Sequence, residues 1–298
     1  MLPAELALLE DEAIYIFREA AGQLGNLALL FSGGKDSIVM AHLARLAFAP
    51  GRPPLFLLHI DTGHNFPETL AFRDRFSQAI GLELKVRRVE DSIQRGTVVE
   101  ESGPRPSRNA AQSVTLREAI EELRLDGLFG GGRRDEEKAR AKERIFSHRD
   151  RWGTWDPRNQ RPEVWWMLNG NKLPGEHFRI FPLSNWTELD VWRYLQACDI
   201  EVPSLYFSHR RQVVQTRDGW LARCPWVEPL EGEAVKEMAV RFRTIGDMTC
   251  TGAVPSEAGN MEEVIAEIQT SEWSERGTRA DDQRSESAME DRKRGGYF

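Results

Sequence analysis

One short segment of the sequence combines residue types that together bind phosphate. Its glycines lack the Cβ atoms that would keep backbone N–H groups away from an oxyanion, and a helix beginning here would add the partial positive charge of its N-terminus. A lysine contributes a full charge and two serines contribute hydroxyl donors. The sequence therefore predicts a phosphate-binding turn composed of Ser32, Gly33, Gly34, Lys35, Asp36 and Ser37.

Two other interpretations of this turn were weighed. A Gly-Gly turn can simply connect a strand to a helix and leave Lys35 in solvent, but the convergence of all these donors between an apolar stretch and an amphipathic one favours an anion site. A Walker loop requires G-x-x-x-x-G-K-[ST], whereas Asp36 follows the lysine here and Leu29 stands five positions before Gly34. No other segment of the sequence has the Walker motif.

A second glycine run is followed by two arginines, Arg133 and Arg134. Guanidinium groups match phosphate and sulfate oxygens geometrically. The alternative is that both arginines are solvated at the start of a helix whose acidic residues favour its N-terminus. We interpret Arg133 and Arg134 as candidate anion-binding residues, and the charged run from Ala139 onward as an exposed helix stabilised by salt bridges.

The turn resembles the SGGKDS signature of the PP-loop ATP pyrophosphatases, which hold the β and γ phosphates of ATP and cleave at the α phosphorus. Longer segments are similar, block by block, to the small subunit of sulfate adenylyltransferase, and related nodulation enzymes with the same activity would look alike. The resemblance covers nearly the whole chain. The segments that carry it are LHIDTGHNFPET, FGGGRRDEEKARAKERIFS, WDPRNQRPE, RIFPLSNWTELDVWRYL, RFRTIGDMTCTGAV and RKRGGYF.

This resemblance implies that sulfate attacks the α phosphorus of ATP and expels pyrophosphate. The turn would hold the leaving group, with Lys35 catalytic, while Arg133 and Arg134 would contact the α phosphate or sulfate. Asp36 would orient the turn or bind Mg²⁺. The resemblance further implies nucleotide contacts from three residues after the second apolar strand, Asp61, Thr62 and Gly63.

The resemblance also implies a partner subunit. Equilibrium lies against making a mixed phosphoric-sulfuric anhydride, so a large subunit that hydrolyses GTP is expected to drive this first step of sulfate assimilation, with or without an appended adenylyl sulfate kinase. GTP would bind the partner only, which agrees with the missing Walker motif.

Three alternatives remain open at the level of sequence. A phosphoadenylylsulfate reductase needs a nucleophilic cysteine near its C-terminus, but the last cysteine is Cys250. A tRNA-modifying PP-loop enzyme is disfavoured by the net charge of -7 and by isolated cysteines. An inert nucleotide-binding scaffold for a GTPase is disfavoured by the complete turn.

The elements that must position these residues alternate along the chain. After a first helix at 2–21, apolar stretches predict strands at 27–31, 55–60, 82–89, 127–129 and 178–183, with helices at 35–48, 68–80 and 115–125. Thr187 with Asp190 predicts the N-cap of a further helix. Such strands between helices indicate a doubly wound, mostly parallel sheet covered on both faces, which the resemblance makes adenine nucleotide alpha hydrolase-like. Residues 90–113 are expected to form a long loop.

Composition bounds the remaining expectations. The 40% hydrophobic content, the lack of an apolar run of transmembrane length and an N-terminus unlike a secretory signal predict a cytoplasmic protein with no membrane span. The net charge of -7 disfavours a nucleic-acid partner. Residues 1–205 are expected to form the catalytic domain. Residues 206–298 are expected to form an irregular C-terminal extension that contacts the partner and ends in a disordered tail. We expect the tryptophans between 152 and 166 to serve core and subunit packing.

Overall fold

Strands and helices alternate along most of the described chain. The computed structural model describes residues 2–136, 138–164, 167–217 and 219–270. The strands are β1 (Leu27–Leu30), β2 (Leu55–Asp61), β3 (Leu84–Arg88), β4 (Gly127–Phe129), β5 (Phe146–Arg149), β6 (His177–Ile180), β7 (His209–Thr216), β8 (Gly219–Ala222), β9 (Val235–Phe242) and β10 (Gly252–Pro255). The helices are α1 (Ala4–Gln23), α2 (Lys35–Phe48), α3 (Pro67–Ile80), α4 (Val89–Gln94), α5 (Asn109–Glu122), α6 (Lys138–Ala141), α7 (Glu188–Ala197) and α8 (Met261–Thr270).

Six strands form the central sheet, in the order β3-β2-β1-β4-β6-β5. All neighbouring pairs are parallel except β5 with β6, which is antiparallel. Strand β1 lies between β2 and β4. From β1 the chain first builds β2 and β3 on one side of the sheet and then β4 to β6 on the other. The predicted doubly wound, mostly parallel sheet is confirmed, and the turn after β1 lies at the carboxyl edge, where ligands bind in open α/β sheets.

Alternate residues of the central strands are buried against different helices. Leu29 and Phe129 join the core on the side of α1, α2 and α7, whereas Ala28 and Leu128 join the core on the side of α5. Because side chains alternate along a strand, both faces are apolar and both need a helical cover. Each fully buried leucine or phenylalanine stabilises this packing by about 1.5–3 kcal/mol.

The long loop expected at residues 90–113 is shorter in the structure. Helix α4 occupies its beginning and α5 begins at Asn109, so the irregular segment runs only from 95 to 108. The first turn of α5 was missed because its residues are small and polar, which hides the helical period. Arg105 and Arg108, two residues that could close over an anion, instead form ion pairs with Glu233 and Glu100.

The described residues after Tyr206 are regular rather than irregular. Strands β7 to β10 form a closed antiparallel barrel in the order β10-β8-β7-β9, and α8 follows it. These strands escaped the sequence analysis because β7 and β9 bury only some of their residues and so lack a clean alternation. The predicted tail at 271–298, together with Trp165 and Trp166, lies outside the described residues.

A buried ion pair connects the segment after β9 of the barrel to helix α7, which covers the central sheet. Thr187 caps α7 with the predicted capping box, and Glu188 follows it as the first residue of the helix. Arg243, just after β9, donates from Nε and Nη2 to the Glu188 carboxylate at 3.1 and 2.7 Å. Both side chains are buried. The segment that follows Arg243 is thereby anchored against α7. Within the described residues, no helix is long and apolar enough to cross a membrane.

Candidate functional site

The predicted phosphate-binding turn lies between β1 and α2. Gly34 is the N-cap of α2 and Lys35 is its first residue. Gly33 has a φ of 77°, and a Cβ added to it would lie 2.9 Å from Thr69 Cγ2. A larger residue at position 33 would therefore meet both backbone strain and a steric clash.

Side chains of the turn and one distant tyrosine hold its shape. Ser32 Oγ accepts a hydrogen bond from Gly34 N at 3.2 Å, and Ser37 Oγ donates to Gly34 O at 2.8 Å. The Tyr206 hydroxyl accepts from Lys35 N at 2.8 Å. One of the N–H groups that the first turn of α2 leaves without a helical partner is therefore bonded by a residue 171 positions later in the chain.

A cavity of about 250 Å³ opens next to the turn. The carboxyl ends of β1, β2 and β4 form its floor, and residues of α5 and of the segment after β9 form part of its wall. Five of the six predicted turn residues line it; Gly33 does not. The lining residues from the turn are Ser32, Gly34, Lys35, Asp36 and Ser37.

Asp36 brings two cations together at the edge of this cavity. Its Oδ2 lies 3.1 Å from Lys35 Nζ, and its Oδ1 accepts from Arg133 Nη1. Arg133 is 1% exposed and also lies 3.6 Å from Glu136 Oε1. Arg133 is thus next to the turn but behind Asp36, and is not among the residues that line the cavity.

The other predicted residues lie outside the cavity wall. Arg134 donates to Asn185 Oδ1 and does not line the cavity. Asp61 accepts from the backbone of Gly63 at 2.8 Å, in a local turn. Thr62 Oγ1 donates at 2.6 Å to Asp247 Oδ1, and Asp247 lines the cavity. Of these residues, Thr62 has the most direct connection to the site.

Several lining residues were missed by the sequence analysis. Those on α5 fell in the region expected to be a loop, and those after β9 belong to a segment without a predicted element. Arg140 was interpreted as exposed, but its guanidinium is buried over the Phe181 ring, 5.8 Å from the ring centroid. Except for Asn109 and Gln112, the missed polar or C-terminal lining residues lie in segments that carry the family resemblance, but no motif within those segments marked them individually. The group is Asn65, Asn109, Gln112, Glu136, Arg140, Thr244, Ile245, Gly246 and Asp247.

His59 lines the floor of the cavity as a neutral imidazole. Its Nδ1 donates to the Phe31 carbonyl at 2.7 Å, which fixes the backbone just before the turn. Burial, reinforced by the nearby Arg73, lowers the pKa of His59 to about 4. The ring is therefore uncharged near neutral pH and adds no cation to the site.

We expect acid to destabilise the fold partly through His59. The folded-state pKa lies below the value of about 6.5 for an unfolded histidine, so the unfolded chain binds the proton first as the pH falls. This contribution is fully present above pH 6.5 and is lost as the pH falls toward 4. Between pH 7 and pH 5 it should cost the wild type about 2 kcal/mol more than His59→Gln. Urea unfolding at both pH values measures the difference, and parallel losses in the two proteins would contradict it.

The chain is similar to known proteins over most of its length. Residues 26–253 match the family model of the phosphoadenosine phosphosulfate reductase domain. Sulfate adenylyltransferase subunit 2 of Streptomyces lavendulae is 58% identical over 296 residues, which cover 99% of this chain and 92% of the relative. Subunit 2 of Mycobacterium sp. (strain JLS) is 56% identical over 297 residues, which cover 99% and 95%. Among solved structures, phosphoadenylyl-sulfate reductase from Candida auris, a phosphate complex, gives a TM-score of 0.45 at 18% identity over 69% of this chain and 91% of that chain.

The family model and the full-length relatives define a nucleotidyltransferase with a phosphoadenosine phosphosulfate reductase domain. Two relatives are more than half identical to this chain over nearly its full length, and both have the same name. The chain belongs to the sulfate adenylyltransferase subunit 2 family. The designation subunit 2 implies at least one partner subunit.

Proposed function

We propose that this chain transfers AMP from ATP to sulfate, giving adenylyl sulfate and pyrophosphate. The observation that carries the proposal is the cavity at the carboxyl edge of the sheet, which is lined by Lys35, the Ser32 hydroxyl and the N-terminus of α2. These groups suit the two outer phosphates of ATP. The full-length relatives named sulfate adenylyltransferase subunit 2 support the same reaction.

The proposed step needs no proton transfer. A sulfate oxygen, already ionised, attacks the α phosphorus; the bond from that phosphorus to the bridging oxygen of the β phosphate breaks, and its electron pair leaves with pyrophosphate. Catalysis must then come from alignment of the two reactants and from neutralising the charge on the leaving group. Lys35 and the Ser32 hydroxyl would supply that neutralisation. Gly34 N and the Ser37 hydroxyl donate within the turn, so their contacts to the phosphates, and that of Gly33, stay predictions.

Asp36 is better suited to orienting cations than to holding Mg²⁺. Its two carboxylate oxygens face Lys35 and Arg133, and two adjacent positive charges oppose a divalent cation at the same place. The described residues contain no group of three or more His, Cys, Asp or Glu side chains that could hold a metal. We therefore assign Asp36 to positioning Lys35 and Arg133, while its binding of Mg²⁺ stays a prediction.

The remaining sequence-predicted residues have different parts in the proposal. Arg133, fixed by Asp36, adds positive charge at the edge of the cavity, where the α phosphate would lie. Arg134 stays a prediction, since its side chain is directed to Asn185. Thr62 positions Asp247 through the 2.6 Å hydrogen bond, and the nucleotide contacts expected of Asp61 and Gly63 also stay predictions.

We further propose that a GTP-hydrolysing large subunit drives the reaction as the first step of sulfate assimilation in the cytoplasm. The name subunit 2 supports a partner, and the unfavourable equilibrium of the product anhydride supports an energy source. Residues 206–298 remain the proposed contact surface, with 1–205 as the catalytic part. The barrel side nevertheless also supplies Thr244 to Asp247 to the cavity wall.

Sulfate-dependent exchange of labelled pyrophosphate into ATP tests the proposed reaction. We expect exchange that requires this chain, ATP and sulfate together. ATP binding without exchange would favour a scaffold, and thioredoxin-dependent release of sulfite would favour a reductase; either result would contradict the proposal. Net synthesis should increase with GTP only when the large subunit is present.

A further inference from the structure

The cavity contains a second buried cation besides Lys35. Among the described residues that line it, Lys35 and Arg140 carry the positive side chains, since His59 is neutral. Arg140 is 6% exposed. The glycine run separates Arg140 from the turn: a Cβ on Gly131 would lie 2.8 Å from Asp36 Cβ, and a Cβ on Gly132 would lie 2.9 Å from Arg140 Nη1. Arg140 and Asp36, the ion-pair partner of Lys35, thus pack against neighbouring glycines of this run.

Displacement at phosphorus requires the attacking and leaving oxygens to lie roughly in line, on opposite sides of the α phosphorus. If the turn holds the departing pyrophosphate, sulfate must enter from the side away from Lys35. A dianion at that side needs a cation, and a guanidinium fork matches tetrahedral oxyanions geometrically. We propose that Arg140 binds sulfate and that the cavity beside Gly132 is the sulfate subsite. This inference rests on the proposed adenylyl transfer.

One donor of the Arg140 guanidinium has no acceptor in the described part of the chain, and a bound ligand could supply it. Within the described residues its buried Nε has no hydrogen-bond acceptor, and Glu136 Oε2 lies 3.8 Å away, too far for a hydrogen bond. A buried donor without an acceptor is costly. A sulfate oxygen that accepts from Arg140 Nε would remove the free-energy cost of this unpaired donor. The chain without sulfate retains that cost.

A buried carboxylate positions Arg140. Glu143 Oε2 lies 3.4 Å from Arg140 Nη1, and Glu143 Oε1 accepts from Arg149 Nη2 at 2.5 Å and from Ser147 Oγ at 3.2 Å. Burial lowers the pKa of Arg149 to about 10, so this guanidinium still carries its charge near neutral pH. Glu143 is therefore a positioning residue that holds Arg140 at the cavity wall without reaching the substrate.

The test compares the wild type with Arg140→Gln and Arg140→Lys. We expect Arg140→Gln to raise the KM for sulfate in pyrophosphate exchange about 10- to 100-fold, as expected for a lost hydrogen bond to a charged group. The Kd of a non-hydrolysable ATP analogue should change less than about twofold, and Arg140→Lys should recover part of the sulfate KM. Arg158→Ala is the matched control, since its side chain is 95% exposed. It should behave as wild type.

A second measurement separates this inference from the proposed reaction. With the ATP analogue bound, sulfate should raise the thermal unfolding midpoint of the wild type but not of Arg140→Gln. An unchanged sulfate KM in Arg140→Gln would overturn the subsite while the reaction stands, and so would equal losses of sulfate and analogue binding. Sulfate stabilisation that depends on Arg140 in a wild type without exchange would keep the subsite and overturn the reaction.

Discussion

Replacing Lys35 with methionine should lower the rate of sulfate-dependent pyrophosphate exchange by about 100- to 1,000-fold, the usual loss for one donor that stabilises developing negative charge. Lys35 is 1% exposed, lines the cavity and lies at the N-terminus of α2. Its charge there acts on the leaving group in a site partly closed to water, where electrostatic interactions are strong. Methionine is an unbranched side chain of nearly the same length that removes both the charge and the hydrogen-bond donor.

A folding control is needed because Lys35 also pairs with Asp36. The variant retains the Arg133 contact to the same carboxylate, so we expect its thermal unfolding to stay cooperative. Lys142→Met, at an exposed position outside the cavity wall, serves as the matched substitution and should retain the exchange rate. A folded Lys35→Met protein with wild-type exchange would remove Lys35 from the mechanism.

The largest expected effect on stability is at the buried ion pair between α7 and the segment after β9. Glu188→Gln removes the charge opposite Arg243 while keeping a similar shape. Breaking a buried pair from one side costs about 3–5 kcal/mol, so urea unfolding should show a loss of that size. The segment that follows Arg243 lines the cavity, and we therefore expect weaker binding of an ATP analogue as well.

An exposed ion pair on the barrel provides the comparison. Arg210 Nε lies 3.4 Å from Glu237 Oε1, with side chains 73% and 58% exposed. Glu237→Gln should change the free energy of unfolding by less than about 1 kcal/mol, because water screens such pairs. Equal losses in Glu188→Gln and Glu237→Gln would show that burial does not decide the effect.

Local signals in the sequence were sufficient for much of the fold. Helix α2 and strand β4 have the bounds predicted from their apolar patterns, and the capping box at Thr187 is present. Each of these features is specified within a few neighbouring residues, by turn chemistry or by periodicity. The phosphate-binding turn belongs to the same class, because its glycines and donors are contiguous.

The rest of the site depends on contacts that no local pattern specifies. Asn109 and Asp247 meet the cavity only because α5 and the segment after β9 fold against the sheet. Arg140 sits in a run of charges that is typical of an exposed helix, and only Phe181 and Glu143, both brought by tertiary structure, bury it. Predictions from sequence periodicity assume that charged residues face solvent. A buried charged side chain such as that of Arg140 breaks this assumption.

The Tyr206 hydroxyl that accepts from Lys35 N and the wall residues up to Asp247 belong to the later part of the chain. During synthesis on the ribosome, the glycine turn emerges long before these groups do. A nascent chain therefore has the phosphate-binding turn early but completes the pocket only after the residues up to Asp247 have been translated. Under the proposed function, ATP can therefore protect a new chain only after the segment that follows β9 has folded against the sheet.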